Sequence, residues 1–439
     1  HPLPRLSFWP DPLVLDYGTP IAKQAAEIVP YAVGVFVLLA ATVVGLVARP
    51  MWGFLGAWVF AILAPSSSVV PLATQTMAEH RMYLPLAGVV VLVILLAYHA
   101  IVRLGWCSQW ALIALVLVPA AALGWRTHQR NADYRSELKI WDETVKHRPQ
   151  NDRAYLTRGS LFLVQGQIDA ALRDYDQAIA LNPRNAKAYI GRGNALGDKR
   201  RCDEAMRDFD EALRLNPYLA DAYNGRGTCL LDEGQVDAAI REFSKAIALE
   251  RNFVQAFYNR ATAYDAKGAF DAAIEDYDQV IRLQPDFAKA YNGRGSAYDS
   301  MGQVEAAIRD YGRALALRPD FPEAYNNRCS ALNIKGLFDE AIRDCDQALL
   351  LRPDYVEALT NRGNTLQSLG RYQAALQDYD RAIALNPAFA AAYHNRALAH
   401  ARLSAYDKAW ADVAMVRKLG GTPPARFIEE LTRMSGRSE

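Results

Sequence analysis

Proline recurs at 149, 183, 217, 285, 319, 353 and 387, a 34-residue grid that misses only Arg251. A fixed period of this length marks one supersecondary unit repeated along the chain. Each unit carries two stretches of helical periodicity, and proline ends the second because it cannot continue a helix. Two short helices cannot bury an apolar face by themselves, so the units must stack on their neighbours. A fold built around one central core is thereby excluded for this part of the chain.

The eight units start at Asp152, Ala186, Ala220, Val254, Ala288, Pro322, Val356 and Ala390. Near the start of each lies a bulky residue: Tyr155, Tyr189, Tyr223, Phe257, Tyr291, Tyr325, Leu359 or Tyr393. Four residues on comes a small one, where two helices must cross closely: Gly159, Gly193, Gly227, Ala261, Gly295, Cys329, Gly363 or Ala397. The second helix answers with alanine at 171, 205, 239, 273, 307, 341, 375 and 409. Gly166, Gly234, Gly268, Gly302, Gly336 and Gly370 stand between the two helices, where positive φ ends the first. This pattern resembles the tetratricopeptide repeat (TPR) over roughly residues 133–423. The resemblance implies an all-α solenoid, a right-handed superhelix whose first helices line a concave groove.

Every unit has an arginine just before the small residue and an acid 16 residues later. The pairs are Arg158 and Asp174, Arg192 and Asp208, Arg226 and Glu242, Arg260 and Asp276, Arg294 and Asp310, Arg328 and Asp344, Arg362 and Asp378, and Arg396 and Asp412. We read them as a structural ion-pair ladder joining the two helices of each repeat, with an arginine ladder for an acidic ligand as the sharper alternative. Beside it, Asn259, Asn327, Asn361 and Asn395 directly precede the arginine, with Asn292 and Asn326 close by. Asparagine offers donors and an acceptor together, which suits bonding to an extended peptide backbone, so these are the groove candidates. TPR domains that clamp a terminal carboxylate add groove lysines. Here the matching positions are Lys289, Glu323, Glu357 and Ala391, an incomplete set, and that ligand is not expected. Cys329 and Cys345 face inward in one repeat and are expected as a buried thiol pair, a disulfide only in an oxidising compartment.

The front of the chain differs in kind. Residues 1–125 hold nine charged side chains, whereas the other 314 residues hold 44 basic and 44 acidic ones. Stretches 28–48, 84–102 and 106–125 are uncharged apart from Arg103 beside the second, and each is about long enough to cross roughly 30 Å of hydrocarbon. A shorter apolar stretch, 51–64, makes a fourth span that ends near Pro65. A multispan transmembrane helix bundle is therefore expected ahead of the solenoid. The organisation is a Pro/aromatic-rich extramembrane segment at 1–27, about four spans in 28–125, a connector and degenerate half-repeat at 126–151, eight repeats at 152–423, and a capping helix with tail at 424–439. The first residue is His1, and sequence is expected upstream of it. Balanced charge in the repeats gives no footprint for nucleic acid, and scattered cysteines without histidine clusters give no metal site.

The front half also carries "LSFWPDPLVLDYG" near Asp16, a serine-rich break and "AEHRMYLP" (residues 78–85) before a span. Over about residues 3–130 it resembles the transmembrane-and-TPR family related to protein O-mannosyltransferases of the GT-C superfamily. That resemblance implies a polyprenyl-phosphate sugar as donor, with His80 and Arg81 as candidates for its phosphate. It also implies a catalytic acid in a first loop that this sequence does not show, so no catalytic residue is assigned and no cofactor is expected. The leading expectation is a membrane-anchored TPR scaffold that binds protein or peptide and contacts membrane lipid. The carboxy-terminal part of a lipid-linked glycosyltransferase, with the repeats as acceptor platform, is the alternative. Charge flanking the spans points the repeats to the cytoplasm; the resemblance points them outside. The expectation adopted is a multi-pass protein of a bacterial inner membrane with the array extracytoplasmic.

Overall fold

The computed structural model describes residues 137–437 and the single position Val44. The spans expected in 28–125, the segment 1–27, and His80 and Arg81 lie outside the described residues. Among the described residues no helix is long and apolar enough to cross a membrane. Helices and their connections account for all of the regular structure described, and the chain divides into two compact units at Asn216 and Pro217.

In the first unit the described helices are α1 (Glu137–His147), α2 (Asp152–Val164), α3 (Ile168–Leu181), α4 (Ala186–Asp198) and α5 (Cys202–Leu215). Helix α1 stands where the second helix of a preceding repeat would, burying Ile140, Trp141 and Thr144. Asn151 caps α2 by accepting from the backbone N–H groups of Arg153 and Ala154, which satisfies two donors that a helix start leaves orphaned. The second unit begins with α6 (Ala220–Asp232), α7 (Val236–Leu249), α8 (Val254–Ala266), α9 (Phe270–Leu283), α10 (Ala288–Ser300) and α11 (Val304–Leu317). It continues with α12 (Pro322–Ile334), α13 (Phe338–Leu351), α14 (Val356–Ser368), α15 (Tyr372–Leu385), α16 (Ala390–Arg402), α17 (Tyr406–Lys418) and α18 (Ala425–Ser435).

In six of the eight repeats the two helices close on one packing scheme. An aromatic ring from the second helix lies over the small residue of the first, and the flanking alanines are wholly buried; in repeat eight Val413 takes the place of the ring. In the repeat of α4 and α5, a Cβ built on Gly193 would come within 2.7 Å of the Phe209 ring. Phe209, Phe243, Tyr311 and Tyr379 are all at most 1% exposed. Turns between paired helices use glycine at φ of 71–80° in six repeats, and Arg200 and Ser404 take φ 58° at the equivalent place in the other two. A side chain in this left-handed region costs about 1–2 kcal/mol, so the tertiary geometry sets the turn even where glycine is missing.

Repeat six departs from the scheme. Cys329 and Cys345, both fully buried, form a disulfide between α12 and α13 with Cα atoms 5.6 Å apart. The expected thiol pair is thus corrected: placing two cysteines where a glycine and an aromatic ring usually meet brings their sulfurs within bonding range.

The array ends in α18, whose Phe427 and Leu431 pack with Val413 and Ala397 and with the partly buried Trp410 and Ile428. The His394 ring meets Phe427 edge-on at 5.7 Å. Burial lowers the His394 pKa from its ordinary value, so the unfolded chain takes up a proton more readily than the folded one. The stabilisation is complete above the ordinary histidine pKa of about 6.5 and is lost as pH falls through the folded value. Amide exchange in α18, corrected for intrinsic rates, is expected to quicken on acidification below that range. His394→Phe keeps the ring contact and should weaken the pH dependence, the remainder belonging to His400 on the same helix, whose pKa burial also lowers; an unchanged profile in that variant would refute the role.

Candidate functional site

Two polar ladders run along the second unit, and they diverge. Each ladder arginine bonds to a second helix. Arg294 Nε and Nη2 donate to Asp310 at 2.7 and 2.8 Å. The same two-pronged bond joins Arg260 to Asp276, Arg328 to Asp344, Arg362 to Asp378 and Arg396 to Asp412 at 2.6–2.9 Å. Arg226 sends both nitrogens to one oxygen of Glu242, whose other oxygen accepts from Lys245 at 2.8 Å. In the first unit Arg158 pairs with Asp174 and Arg192 with Asp208, every bond 2.7 Å.

The remaining guanidinium nitrogen, Nη1, finds a third partner on the preceding second helix. These partners are Asp142 for Arg158 (2.9 Å), Asp176 for Arg192 (2.6 Å), Ser244 for Arg260 (2.9 Å), Asp278 for Arg294 (2.5 Å), Asp346 for Arg362 (2.6 Å) and Asp380 for Arg396 (2.6 Å). Gly312 occupies this place opposite Arg328. The sequence signal for the third partner was available, since these residues stand 16 positions before each arginine. Seven of the eight guanidiniums also lie over the aromatic ring three residues earlier, as Arg294 does over Tyr291 at 5.7 Å from the ring centroid; Arg362 has Leu359 there instead. Hydrogen bonding to the paired carboxylate raises the pKa of Arg192, Arg294, Arg362 and Arg396 well above the ordinary value, against the opposing cost of burial. Arginines saturated in this way bind helices together and have little capacity left for a ligand.

The asparagines do the opposite and join first helices to one another. Asn259 Nδ2 donates to Asn224 Oδ1 at 3.0 Å, Asn327 Nδ2 to Asn292 Oδ1 at 3.2 Å, and Asn361 Nδ2 to Asn326 Oδ1 at 2.9 Å. Asn395 follows a repeat that has Thr360 at the matching place, and among the described residues it makes no such bond. Sequence adjacency suggested that asparagine and arginine share a face. A helix turns about 100° per residue, and that single step sends the asparagine toward the neighbouring first helix and the arginine between second helices. The chemically open ladder is the asparagine one. Each amide has two N–H donors and a carbonyl with two lone pairs; Asn259 also accepts from Gln255 at 2.8 Å and the buried Asn326 donates to Asn327 at 3.4 Å, and these bonds use only part of that capacity. Glu323, at one clamp position, is held by Arg352.

Models of the tetratricopeptide repeat match residues 127–183, 156–218 and 190–255, and again 288–321 and 356–389; a further TPR model matches 261–302. No curated protein matches the sequence. Among solved structures the chain is similar to one described as the APC/C hetero-tetramer Cut9–Hcn1, at 18% identity and TM-score 0.54, over 66% of this chain and 56% of that one. The chain therefore spans little more than half of that relative, and the likeness is one of fold. It is also similar to a tetratricopeptide repeat protein from Parabacteroides merdae (19% identity, TM-score 0.47, 57% of this chain and 99% of that one). A third is YrrB, described as a TPR protein with an unusual peptide-binding site (22% identity, TM-score 0.36, 42% and 96%).

Proposed function

Because the chain is a tetratricopeptide-repeat protein, we propose that it holds extended polypeptide along the first-helix face of its repeats, and that the apolar segment 28–125 anchors this scaffold to a membrane. The observation that carries the first part is the run of asparagine rungs Asn224–Asn259, Asn292–Asn327 and Asn326–Asn361. The first two rungs lie two repeats apart and the last two one repeat apart, and they present amide donors and acceptors to any backbone lying across them, independent of its side chains. The saturated arginine ladder, by contrast, is architectural.

The full chain probed against an immobilised array of mixed-sequence peptides tests this reading. Asn292→Ala/Asn327→Ala/Asn361→Ala is expected to lower retention across most sequences by about tenfold, since each lost hydrogen bond is worth about 0.5–1.5 kcal/mol. Equal retention by the variant would remove the asparagines from the binding role.

Membrane anchoring is supported by the length and low charge of the front segment. The extracytoplasmic side is supported by the Cys329–Cys345 disulfide, because disulfides persist in oxidising compartments. A carboxy-terminal topology reporter active only in the cytoplasm would overturn that orientation. The glycosyltransferase reading draws on the "AEHRMYLP" motif. There a cationic Arg81 would meet the donor phosphate by charge-assisted hydrogen bonding, and transfer activity unaffected by Arg81→Ala would dismiss it.

A further inference from the structure

Repeat six is held together differently from its neighbours. In repeats five and seven the rings of Tyr311 and Tyr379, each at most 1% exposed, lie against Gly295 and Gly363 between the paired helices. In repeat six two cysteines stand at those positions. The buried cluster there consists of Cys329, Leu332, Ala341 and Cys345, with Ile308 reaching in from α11. Two polar braces are also missing. Arg294 and Arg362 each bond an aspartate on the preceding second helix, whereas Arg328 faces Gly312 there. In repeat seven Tyr379 Oη lies 2.9 Å from Asn364 Oδ1 and 3.4 Å from Gln367 Oε1. At the place of Gln367 in repeat six, Asn333 Oδ1 is shielded from solvent without a hydrogen-bond partner, a costly state. A thiol buries far less apolar area than a phenol ring, so in repeat six the covalent bond supplies cohesion that packing and polar contacts supply next door.

The same repeat carries the middle of the asparagine ladder. Asn327 donates to Asn292 of α10, and Asn326 accepts from Asn361 of α14, so two of the three rungs pass through α12. Cys329 lies on that helix, two residues beyond Asn327.

We propose that the Cys329–Cys345 disulfide is a redox switch on repeat six. Closed, it keeps α12 in register with α10 and α14; reduced by a dithiol, it lets α12 and α13 loosen and withdraws two rungs from the bound polypeptide. The effect on binding rests on the peptide-binding reading, and the loosening does not. In the exchange one thiolate of the dithiol attacks a chain sulfur, forming a mixed disulfide and expelling the other chain sulfur as a thiolate. The second dithiol sulfur, as thiolate, then attacks the mixed bond. Two electrons pass to the chain, the two protons of the dithiol end on Cys329 and Cys345, and the dithiol leaves as a cyclic disulfide. Both chain sulfurs belong to wholly buried residues, so attack waits on local opening of the repeat.

The test compares the full chain in its oxidised form with the same chain treated with dithiothreitol until both sulfurs titrate as thiols after unfolding. Hydrogen exchange resolved by helix is the first readout. Amides of α12 and α13 are expected to exchange about a hundredfold faster in the reduced chain, the scale set by closing a loop this short, while α2 to α5 keep their rates. Cys202 and Cys229 are free thiols and give the dithiol nothing to reduce. Cys329→Gly/Cys345→Tyr brings the glycine and ring of repeats five and seven into repeat six, and should stay protected with or without the dithiol. Retention on the mixed-sequence peptide array should fall about tenfold when the native chain is reduced, and not at all for that variant. Resistance of the bond to the dithiol in the folded chain, unchanged exchange in α12 and α13, or equal peptide retention by the two forms overturns the switch and leaves backbone binding standing. If the oxidised chain itself retains no peptide, the peptide-binding reading falls and the exchange comparison alone decides the switch.

Discussion

Asp310→Ala is expected to destabilise repeat five by about 3 kcal/mol, toward the lower end of what removing one partner of a buried ion pair costs. The size comes from what is left behind. Asp310 is 8% exposed and holds two nitrogens of Arg294, which is itself mostly covered. Without it the guanidinium keeps only Asp278, a half-exposed partner. The pair is worth far less than the cost of breaking it, because desolvating both charges consumes most of their attraction. Arg294→Met/Asp310→Leu should therefore recover most of the loss. Hydrogen exchange resolved by repeat is the suitable measurement, since long repeat arrays depart from two-state unfolding. Single and double variants of equal stability would show that the ladder does not couple its members.

Gly363→Ala is expected to cost a net of about 2 kcal/mol, an overpacking penalty of about 3 against a helix-propensity gain of about 1. A Cβ there would stand 2.5 Å from Cε1 of Tyr379. That ring is fully buried and its hydroxyl is tied to Asn364, so it has little freedom to retreat. The comparison that gives the prediction force is Gly159→Ala. There the Cβ approaches the Tyr175 ring to only 3.1 Å, and Gly191 leaves that ring room on its other side. Tyr379 has Asn395 where Tyr175 has Gly191. Gly159→Ala should then be neutral or stabilising in chemical denaturation, and equal losses at the two sites would refute the packing argument. The same reasoning accounts for Ala261, which is tolerated beside Tyr277 because Gly293 supplies the missing space in the next repeat.

These cases show how far the amino-acid order reaches. The 34-residue recurrence, the small residue under the aromatic ring and the arginine with its acid 16 residues later are all relations within one helical hairpin, so periodicity exposes them. Acids stand 16 residues before most of the arginines, with Ser244 and Gly312 as departures, and those bonded there join one repeat to the next, a relation that no single hairpin exposes. Arg200 and Ser404 reach positive φ without glycine, which local preference argues against and the demand of the tight turn overrides.

What the sequence by itself determined is the repeating helical hairpin and its contacts, because residue spacing on a helix dictates which side chains share a face. Only the tertiary structure decided the rest: that neighbouring Asn327 and Arg328 serve opposite sides, that two cysteines join α12 to α13, and that Asp299 and Asn333 are left without donors. The asparagine and unpaired-group outcomes depend on how one hairpin is set against the next, and the disulfide on how closely the two helices of one hairpin approach. Geometry between separate elements is not written in the spacing along any one of them.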